Sequence, residues 1–292
     1  MKKIALLGLG TMGAGMGKRL LHAEFSLAVY NRTAAKAATL RDAGAVVAAS
    51  PAEAARGAEI VISMLADDQA SRMVWMGDQG ALASVGTGSI LVECGTVTPD
   101  WVEELGHAGQ EKGCVLLDAP VTGSRLQAAG GELTFLVGGP KAQLETTRPV
   151  LEAMGKKVVH VGPLGSGSRL KLINNFLCAA QLASLAEAVG WMERAGLDMD
   201  LALDVLCTGA PGSPLLKTMS QRMMKRDYQV NFLLRLLGKD IVYAQKDAQA
   251  AGIPLRTADS ALDLLERAKE LGYGEQDMSS VVEQFRSGKG IA

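Results

Sequence analysis

Leu6-Leu7-Gly8-Leu9-Gly10-Thr11-Met12-Gly13-Ala14-Gly15-Met16 is the stretch from which the rest of the chain is read. It follows a short apolar run at residues 4–7 and opens a segment with helical periodicity. Gly8, Gly10 and Gly13 therefore give G-x-G-x-x-G between a strand and a helix, the context a dinucleotide-binding turn requires. Each glycine answers a separate need. Gly8 permits the tight turn, Gly10 lets a pyrophosphate approach the backbone, and Gly13 lets helix and strand pack closely. The helix start then turns free N–H groups and the positive end of its dipole toward an anion. Gly8, Leu9, Gly10, Thr11, Met12 and Gly13 are accordingly candidate cofactor contacts. Taken alone, the motif also fits a tight turn with no ligand.

The next strand argues for a ligand. Ser26-Leu27-Ala28-Val29-Tyr30 is a second apolar run, and it ends in Asn31-Arg32-Thr33. This is the place where an acidic residue would bind both ribose hydroxyls of NAD. Here no carboxylate stands to repel a 2′-phosphate, and Arg32 can bind one bidentately and stack on adenine. Asn31, Arg32 and Thr33 thus join the candidate cofactor residues, and the expected cofactor is NADP(H) in preference to NAD(H).

The 292 residues suggest more than one domain, and an apolar fraction of 48% is ample for substantial cores. A net charge of −1 gives no electrostatic case for nucleic acid or an anionic membrane, and 4% aromatic residues give none for base stacking. Cys94, Cys114, Cys178 and Cys207 are scattered, so neither a disulfide framework nor a zinc site is expected. His22, His107 and His160 are isolated and make no metal cluster. The apolar run after Lys2-Lys3 is interrupted by glycines and continues into an ordered pattern, so no signal peptide is read and cytoplasmic residence is expected.

Apolar runs recur at residues 4–7, 27–30, 60–64, 90–93, 115–118, 133–137 and 158–161, and helical segments separate most of them. The alternation predicts an α/β domain with a mostly parallel sheet, a Rossmann dinucleotide-binding domain over residues 1–163. Strands after Asp118 are expected to run antiparallel, because Gly130-Gly131 offers only a short connection. From Ser168 onward strand signals vanish. Residues 169–194 read as one long helix, apolar nearly all round and so expected to be buried. Asn174, Asn175, Gln181 and Glu187 interrupt it, which favours a core helix over a membrane span. Residues 164–292 are thus expected to form an all-helical substrate and oligomerisation domain. Residues 274–292 read as a tail.

Ligands of an open parallel sheet sit beyond the carboxyl ends of its strands. Met64 and Leu65 follow one such end and are candidate cofactor contacts. Thr96 follows another; it can bond the nicotinamide ribose or amide, with Thr98 before Pro99 the better helix cap. A third end reads Asp118-Ala119-Pro120-Val121-Thr122-Gly123-Ser124. Its hydroxyls and exposed main-chain N–H suit a substrate carboxylate, though an ordinary polar turn has the same composition.

Lys171 and Asn175 lie four apart on an otherwise apolar helix, on one face. A lysine with its stem in an apolar wall, beside a cationic nicotinamide, loses its proton more readily than one in water. Such a lysine can hand a proton to an alkoxide as hydride arrives at a carbonyl, and its charge stabilises the oxyanion. Asn175 can orient the same oxygen or hold the lysine head. Lys239-Asp240 is a second such pair: Lys239 is a candidate cofactor contact, or the two residues form structural ion pairs.

With these residues in view, the chain resembles the β-hydroxyacid dehydrogenases along essentially its whole length. That family includes 3-hydroxyisobutyrate dehydrogenase, tartronate semialdehyde reductase and the glyoxylate/succinic semialdehyde reductases. Residues 7–16 look like its cofactor signature, residues 118–124 like its substrate motif, and Gly165-x-Gly167-x-x-x-Lys171-x-x-x-Asn175 like its catalytic motif. Lys239-Asp240 looks like its late cofactor-contacting segment. The resemblance implies a Rossmann domain, a long linking helix and a helical domain that helps form a homodimer or homotetramer. It implies Lys171 as the catalytic residue, with Thr122, Gly123, Ser124 and Asn175 around a small hydroxyacid, semialdehyde or 2-oxo acid. Thr122 stands where serine is usual, and Ser124 replaces the common second glycine, as in the glyoxylate/succinic semialdehyde reductase branch. Gly17 replaces alanine or serine and is expected to loosen its helix turn by up to about 1 kcal/mol. The segment before Lys239 is more apolar than the family pattern. The rival readings are an imine reductase, which typically lacks the lysine, and a non-catalytic NADP-binding protein.

Overall fold

A computed structural model gives the fold and describes residues 2–286. By compactness the chain separates into residues up to Lys171 and residues from Leu172 on. The first unit alternates strand and helix: β1 (Lys3–Leu7), α1 (Gly13–His22), β2 (Ser26–Tyr30), α2 (Ala38–Asp42), β3 (Val46–Val47), α3 (Pro51–Ala55), β4 (Ile60–Ser63) and α4 (Asp68–Trp75). It continues with β5 (Ile90–Glu93), α5 (Pro99–Glu111), β6 (Val115–Asp118), β7 (Val121–Thr122), α6 (Arg125–Gly130), β8 (Leu133–Gly138), α7 (Lys141–Met154) and β9 (Gly155–Gly162).

The sheet order is β3-β2-β1-β4-β5-β6-β8-β7, with β9 added on β8. Strands β3 to β6 in that order are all parallel. This is the Rossmann arrangement, and the expected α/β class holds. Beyond β6 the direction reverses at β8, which runs antiparallel to β6 and β7 with β9 parallel to it; the residues between β7 and β8 carry α6, so the short connection expected at Gly130-Gly131 is not found. Side chains alternate between the faces. Ile4, Leu6, Ile60, Ile62, Ile90 and Val92 enter one core, while Ala5, Leu7, Val61 and Leu91 enter the other. Period two with both faces covered is what turns these strands into continuous apolar runs.

In the first unit β3, α4, β7 and α6 escaped the sequence pattern, β7 lying inside residues read as loop. β3 is two residues long and exposed, so it carries no alternation to read. α4 is mostly polar; Asp67 fixes its start by accepting from Ala70 N at 2.7 Å. α6 occupies residues read as loop, and Gln127 Oε1 accepts from Ser124 N at its start. Gly17 packs closely on Leu40: a β-carbon there would lie 2.7 Å from Leu40 Cδ1, and the leucine end would have to shift to admit it.

The second unit is helical: α8 (Ser166–Arg194), whose first turns belong to the first unit, then α9 (Met199–Thr208), α10 (Pro214–Lys225), α11 (Leu234–Ala250), α12 (Arg256–Ala268) and α13 (Glu283–Arg286). Asp198 caps α9, and Ser213 with Pro214 starts α10. Its core joins Leu182, Leu185 and Val189 of α8 to Leu237 and Ile241 of α11 and to Val281 and Val282. Contrary to the expectation of full burial, α8 leaves Leu170, Ile173, Leu177 and Trp191 exposed, the last by 77%. The outward positions of this helix are apolar too, and no other part of the described chain covers them. By length and composition α8 passes for a membrane span, yet its inward face packs in the helical core and buries Asn175.

The expected tail is also corrected. Residues 278–284 are buried, and Asp277, 1% exposed, organises the approach to them. Its carboxylate accepts from Asn231 N at 2.8 Å, Phe232 N at 3.0 Å and Ser279 Oγ at 2.8 Å, and pairs with Arg222. Residues 287–292 lie outside the described part. Asp277→Ala strands these donors and the guanidinium, so urea denaturation should show a loss of about 3 kcal/mol.

Candidate active site

The sheet register sets the geometry. Tyr30, Leu7, Ser63, Glu93 and Asp118 are partners in successive strand pairs, so five parallel strands end in one row. From this row leave the loops carrying residues 31–33, 8–12, 64–65, 96 and 122–124. The first unit thus brings together most of the residues singled out from sequence.

The glycine turn has the shape that a dinucleotide needs. Gly8 sits at φ 98°, and a β-carbon on it would lie 2.4 Å from Met64 O. A β-carbon on Gly13 would lie 2.0 Å from Gly8 O, the close approach of helix to strand. Around Gly10, by contrast, a β-carbon would meet nothing within 4 Å. Gly10 is therefore not required by the protein's own packing, and the space it leaves faces outward. The first turn of α1 carries no acidic residue and no side-chain cap to compete with an anion, and of its N–H groups Ala14 N donates to Gly10 O at 3.1 Å. Asn31 braces the turn: its Oδ1 accepts from Leu9 N at 2.9 Å, and its Nδ2 donates to Thr33 O at 2.9 Å. Arg32 and Thr33 beside it are exposed, as is Thr11, while Leu9 is buried and Met12 packs partly on the core. These residues fit a pyridine dinucleotide.

The loop after β5 is braced from both ends. Glu93, fully buried, accepts from Gly95 N at 2.8 Å, from Trp75 Nε1 at 3.0 Å and from the Ser71 hydroxyl. Burial pushes its carboxyl above the ordinary range, and these hydrogen bonds oppose that shift. Asp68 accepts from Thr98 N and Thr98 Oγ1 at 2.9 and 2.6 Å. Thr98 Oγ1 in turn accepts from Trp101 N, so Thr98 is the cap of α5 as expected. Thr96 stays half-buried between two braced flanks, and Met64 and Leu65 are half-buried across from them.

The loop after β6 begins at Asp118. Its Oδ1 accepts from Gly165 N at 2.9 Å and its Oδ2 from Ser168 N at 2.7 Å, at the start of α8. Burial pushes the Asp118 pKa up to about 6, against the pull of those N–H groups. Thr122 and Ser124 are half-buried, and Gly123 between them sits at φ 119° with its main chain exposed. The Ser124 hydroxyl donates to Gln127 Oε1 at 2.5 Å. Lys171 lies one turn beyond Ser168 and is half-buried.

In the second unit, Asn175 is 2% exposed and donates from Nδ2 to Asp240 Oδ2 at 2.6 Å, while its Oδ1 accepts from Asn174 Nδ2. Lys239 Nζ lies 2.9 Å from Asp240 Oδ1 and 4.6 Å from the centre of the Tyr243 ring. Of the two readings of Lys239-Asp240, the ion pair is present. Sequence reasoning gave no role to Glu93, quoted Asp118 only as the first residue of the substrate motif, and read Asp240 as an ion-pair partner of Lys239. Each is a carboxylate in an apolar run or helix face, and a charge costly to bury is the signal that pointed to them.

A separate groove of about 660 Å³, lined by His107, Cys114, Gly139, His160 and Leu164, shares no residue with these loops. Among the described residues no group of His, Cys, Asp and Glu is arranged to hold a metal.

Comparison with known proteins agrees along the whole chain. Residues 3–162 match the family model for the NAD binding domain of 6-phosphogluconate dehydrogenase. Residues 165–285 match that for the NAD-binding of NADP-dependent 3-hydroxyisobutyrate dehydrogenase. The chain is 36% identical to NAD-dependent L-serine dehydrogenase of Pseudomonas aeruginosa, with 98% of each chain covered. It is 33% identical to 3-sulfolactaldehyde reductase of Escherichia coli, over 100% of this chain and 98% of that one. Its structure is similar to Mycobacterium tuberculosis 3-hydroxyisobutyrate dehydrogenase with L-serine, at TM-score 0.89 and 28% identity, covering 98% and 99% of the two chains.

Gly10→Ala separates ligand space from packing space. Thermal unfolding without cofactor should be unchanged, while fluorescence titration should show nucleotide affinity reduced roughly tenfold or more, as a methyl obstructs the pyrophosphate.

Proposed function

The chain belongs to the β-hydroxyacid dehydrogenase family and is an NAD(P)-dependent oxidoreductase acting on a CH–OH group of a small substrate; from that premise we propose how its own residues divide the work. The substrate is a small 3-hydroxy acid or the corresponding semialdehyde, or a 2-oxo acid, and the preferred cofactor is NADP(H). The nicotinamide supplies or takes up the hydride. Lys171 gives a proton to the carbonyl oxygen in reduction and removes one from the hydroxyl in oxidation. Its charge stabilises the oxyanion on the way. Thr122, Gly123 and Ser124 hold the substrate carboxylate, whose demand for several converging donors suits two hydroxyls and an exposed main-chain N–H. Asn175, fixed by Asp240, belongs to the substrate site, and Lys239 to the cofactor site. The observation that carries this reading is a lysine one turn from a helix start that is tied to the end of β6, the strand from which the carboxylate loop also leaves.

The NADP(H) preference rests on Arg32, exposed next to the turn-bracing Asn31, with no carboxylate at residues 31–36. The L-serine dehydrogenase relative is named NAD-dependent, so membership of the family does not itself decide the choice. The exposed apolar stripe of α8 supports a homodimer or homotetramer, since such surface is rarely left open to water. Cytoplasmic residence completes the reading, supported by cysteines that are free among the described residues.

Lys171→Ala should lower turnover roughly 1000-fold or more while NADPH affinity stays within about threefold. Stopped-flow reduction of glyoxylate, succinic semialdehyde and tartronate semialdehyde checks it, and substantial retained turnover rejects the acid/base role. For the cofactor, kcat/KM should favour NADPH over NADH. Arg32→Asp should reverse that order, and a wild-type preference for NADH would overturn the reading.

A further inference from the structure

Asp118 is the last residue of β6, buried completely, and it is the root of two parts of the candidate site. Forward along the chain it leads into the loop of Thr122, Gly123 and Ser124. Through space its two oxygens take the main-chain N–H groups of Gly165 and Ser168. The surroundings are shaped to admit it. A β-carbon on Gly138 would lie 2.3 Å from Asp118 Oδ1, and one on Gly167 would lie 2.9 Å from Oδ2 and 2.2 Å from Leu136 O. Two glycines on different elements thus leave room for one carboxylate. An anion held against the first turn of a helix of 29 residues also meets the positive end of its dipole.

We infer that Asp118 is a positioning residue for the reaction: its carboxylate sets the place of Lys171 relative to the substrate loop by clamping the start of α8 to the end of β6. The inference rests on the reading of Lys171 as acid/base. Asp118 itself transfers no proton. Its ionised form accepts both N–H groups, whereas the protonated form gives up half of its acceptor strength and its attraction to the helix dipole.

The other ionisable groups of the surrounding elements are bonded elsewhere or exposed, Asp100 of α5, Lys141 of α7 and Lys156 and Lys157 of β9 being among the exposed ones. Glu93 of β5 is bonded to Ser71, Trp75 and Gly95, and His160 of β9 meets Gly139 O. Glu145 and Glu152 of α7 pair with Arg148, and Glu104 of α5 with Arg72. Glu103, His107 and Glu111 of α5 are exposed, as is Arg169 of α8; β8 carries no ionisable side chain. The donors that meet the Asp118 carboxylate are the main-chain N–H groups of Gly165 and Ser168, with the Ser168 hydroxyl beside them, and burial brings its titration to about 6. Turnover should therefore fall as pH drops through that value, and cofactor affinity should not.

The test is Asp118→Asn, measured with saturating NADPH beside wild type, Lys171→Ala and Glu93→Gln. The expected result is a kcat roughly 30-fold below wild type, the size of effect a small misplacement of a catalytic group produces. The Kd for NADPH should stay within about threefold, since the main-chain groups Asp118 holds, at Gly165 and Ser168, are not among the candidate cofactor contacts. The acid limb near pH 6 should be present in wild type and Glu93→Gln and absent in Asp118→Asn. A kcat within about twofold of wild type with the limb retained overturns the inference. So does a loss of kcat matched by equal losses in NADPH affinity and thermal midpoint, which marks general damage. If Asp118→Asn yields no folded protein, the wild-type profile decides: no acid limb in kcat, or the same limb in NADPH affinity, overturns it. Failure of the underlying reading looks different, because Lys171→Ala then keeps its turnover.

Discussion

Five parallel strands end level with one another, and the sheet's hydrogen-bonded register enforces it. A one-residue slip of any strand would turn its apolar side chains to the wrong core and move its loop along the row. The pairing of Tyr30, Leu7, Ser63, Glu93 and Asp118 therefore fixes the relative height of every loop in the first unit that carries a candidate residue. The candidate residues of the first unit gather at the carboxyl ends of the strands because the core allows no other register.

At that edge the chain spends buried polar groups to immobilise loops. Asn31 holds the glycine turn, Glu93 and Asp68 hold the two flanks of Thr96, and Asp118 holds the start of α8. In the helical unit Asp240 holds Asn175 and Lys239 in the same fashion. In each case a side chain takes main-chain or amide donors that a connecting segment would otherwise offer to water. This is the support that keeps site geometry within tolerance when the residues themselves sit on loops.

Much of this was legible before any coordinates. The glycine spacing, the strand after it and the lysine on an apolar helix each carry a local physical signature, and the Rossmann order follows from alternation. What was illegible depended on distant partners. Val46-Val47 pair only because β2 offers a free edge, and neither side chain is buried. Gly17 reads as a weak point of α1 until Leu40 is seen against it. Asp277 closes a tail that has no periodicity because its order comes from two main-chain donors on another segment, at Asn231 and Phe232. Asp118 was quoted in a motif without a role, since the donors that use it stand far along the chain, at Gly165 and Ser168.

The bond from Gly95 to Glu93 has an evolutionary consequence. A β-carbon at position 95 would stand 2.9 Å from Glu93 Oε1 and 2.8 Å from Leu65 O. The Leu65 main-chain oxygen bars a side chain at 95 whatever residue stands at 93, so shortening the acid alone opens no room there. Aligned relatives should accordingly keep glycine at 95 even in lineages where 93 has changed.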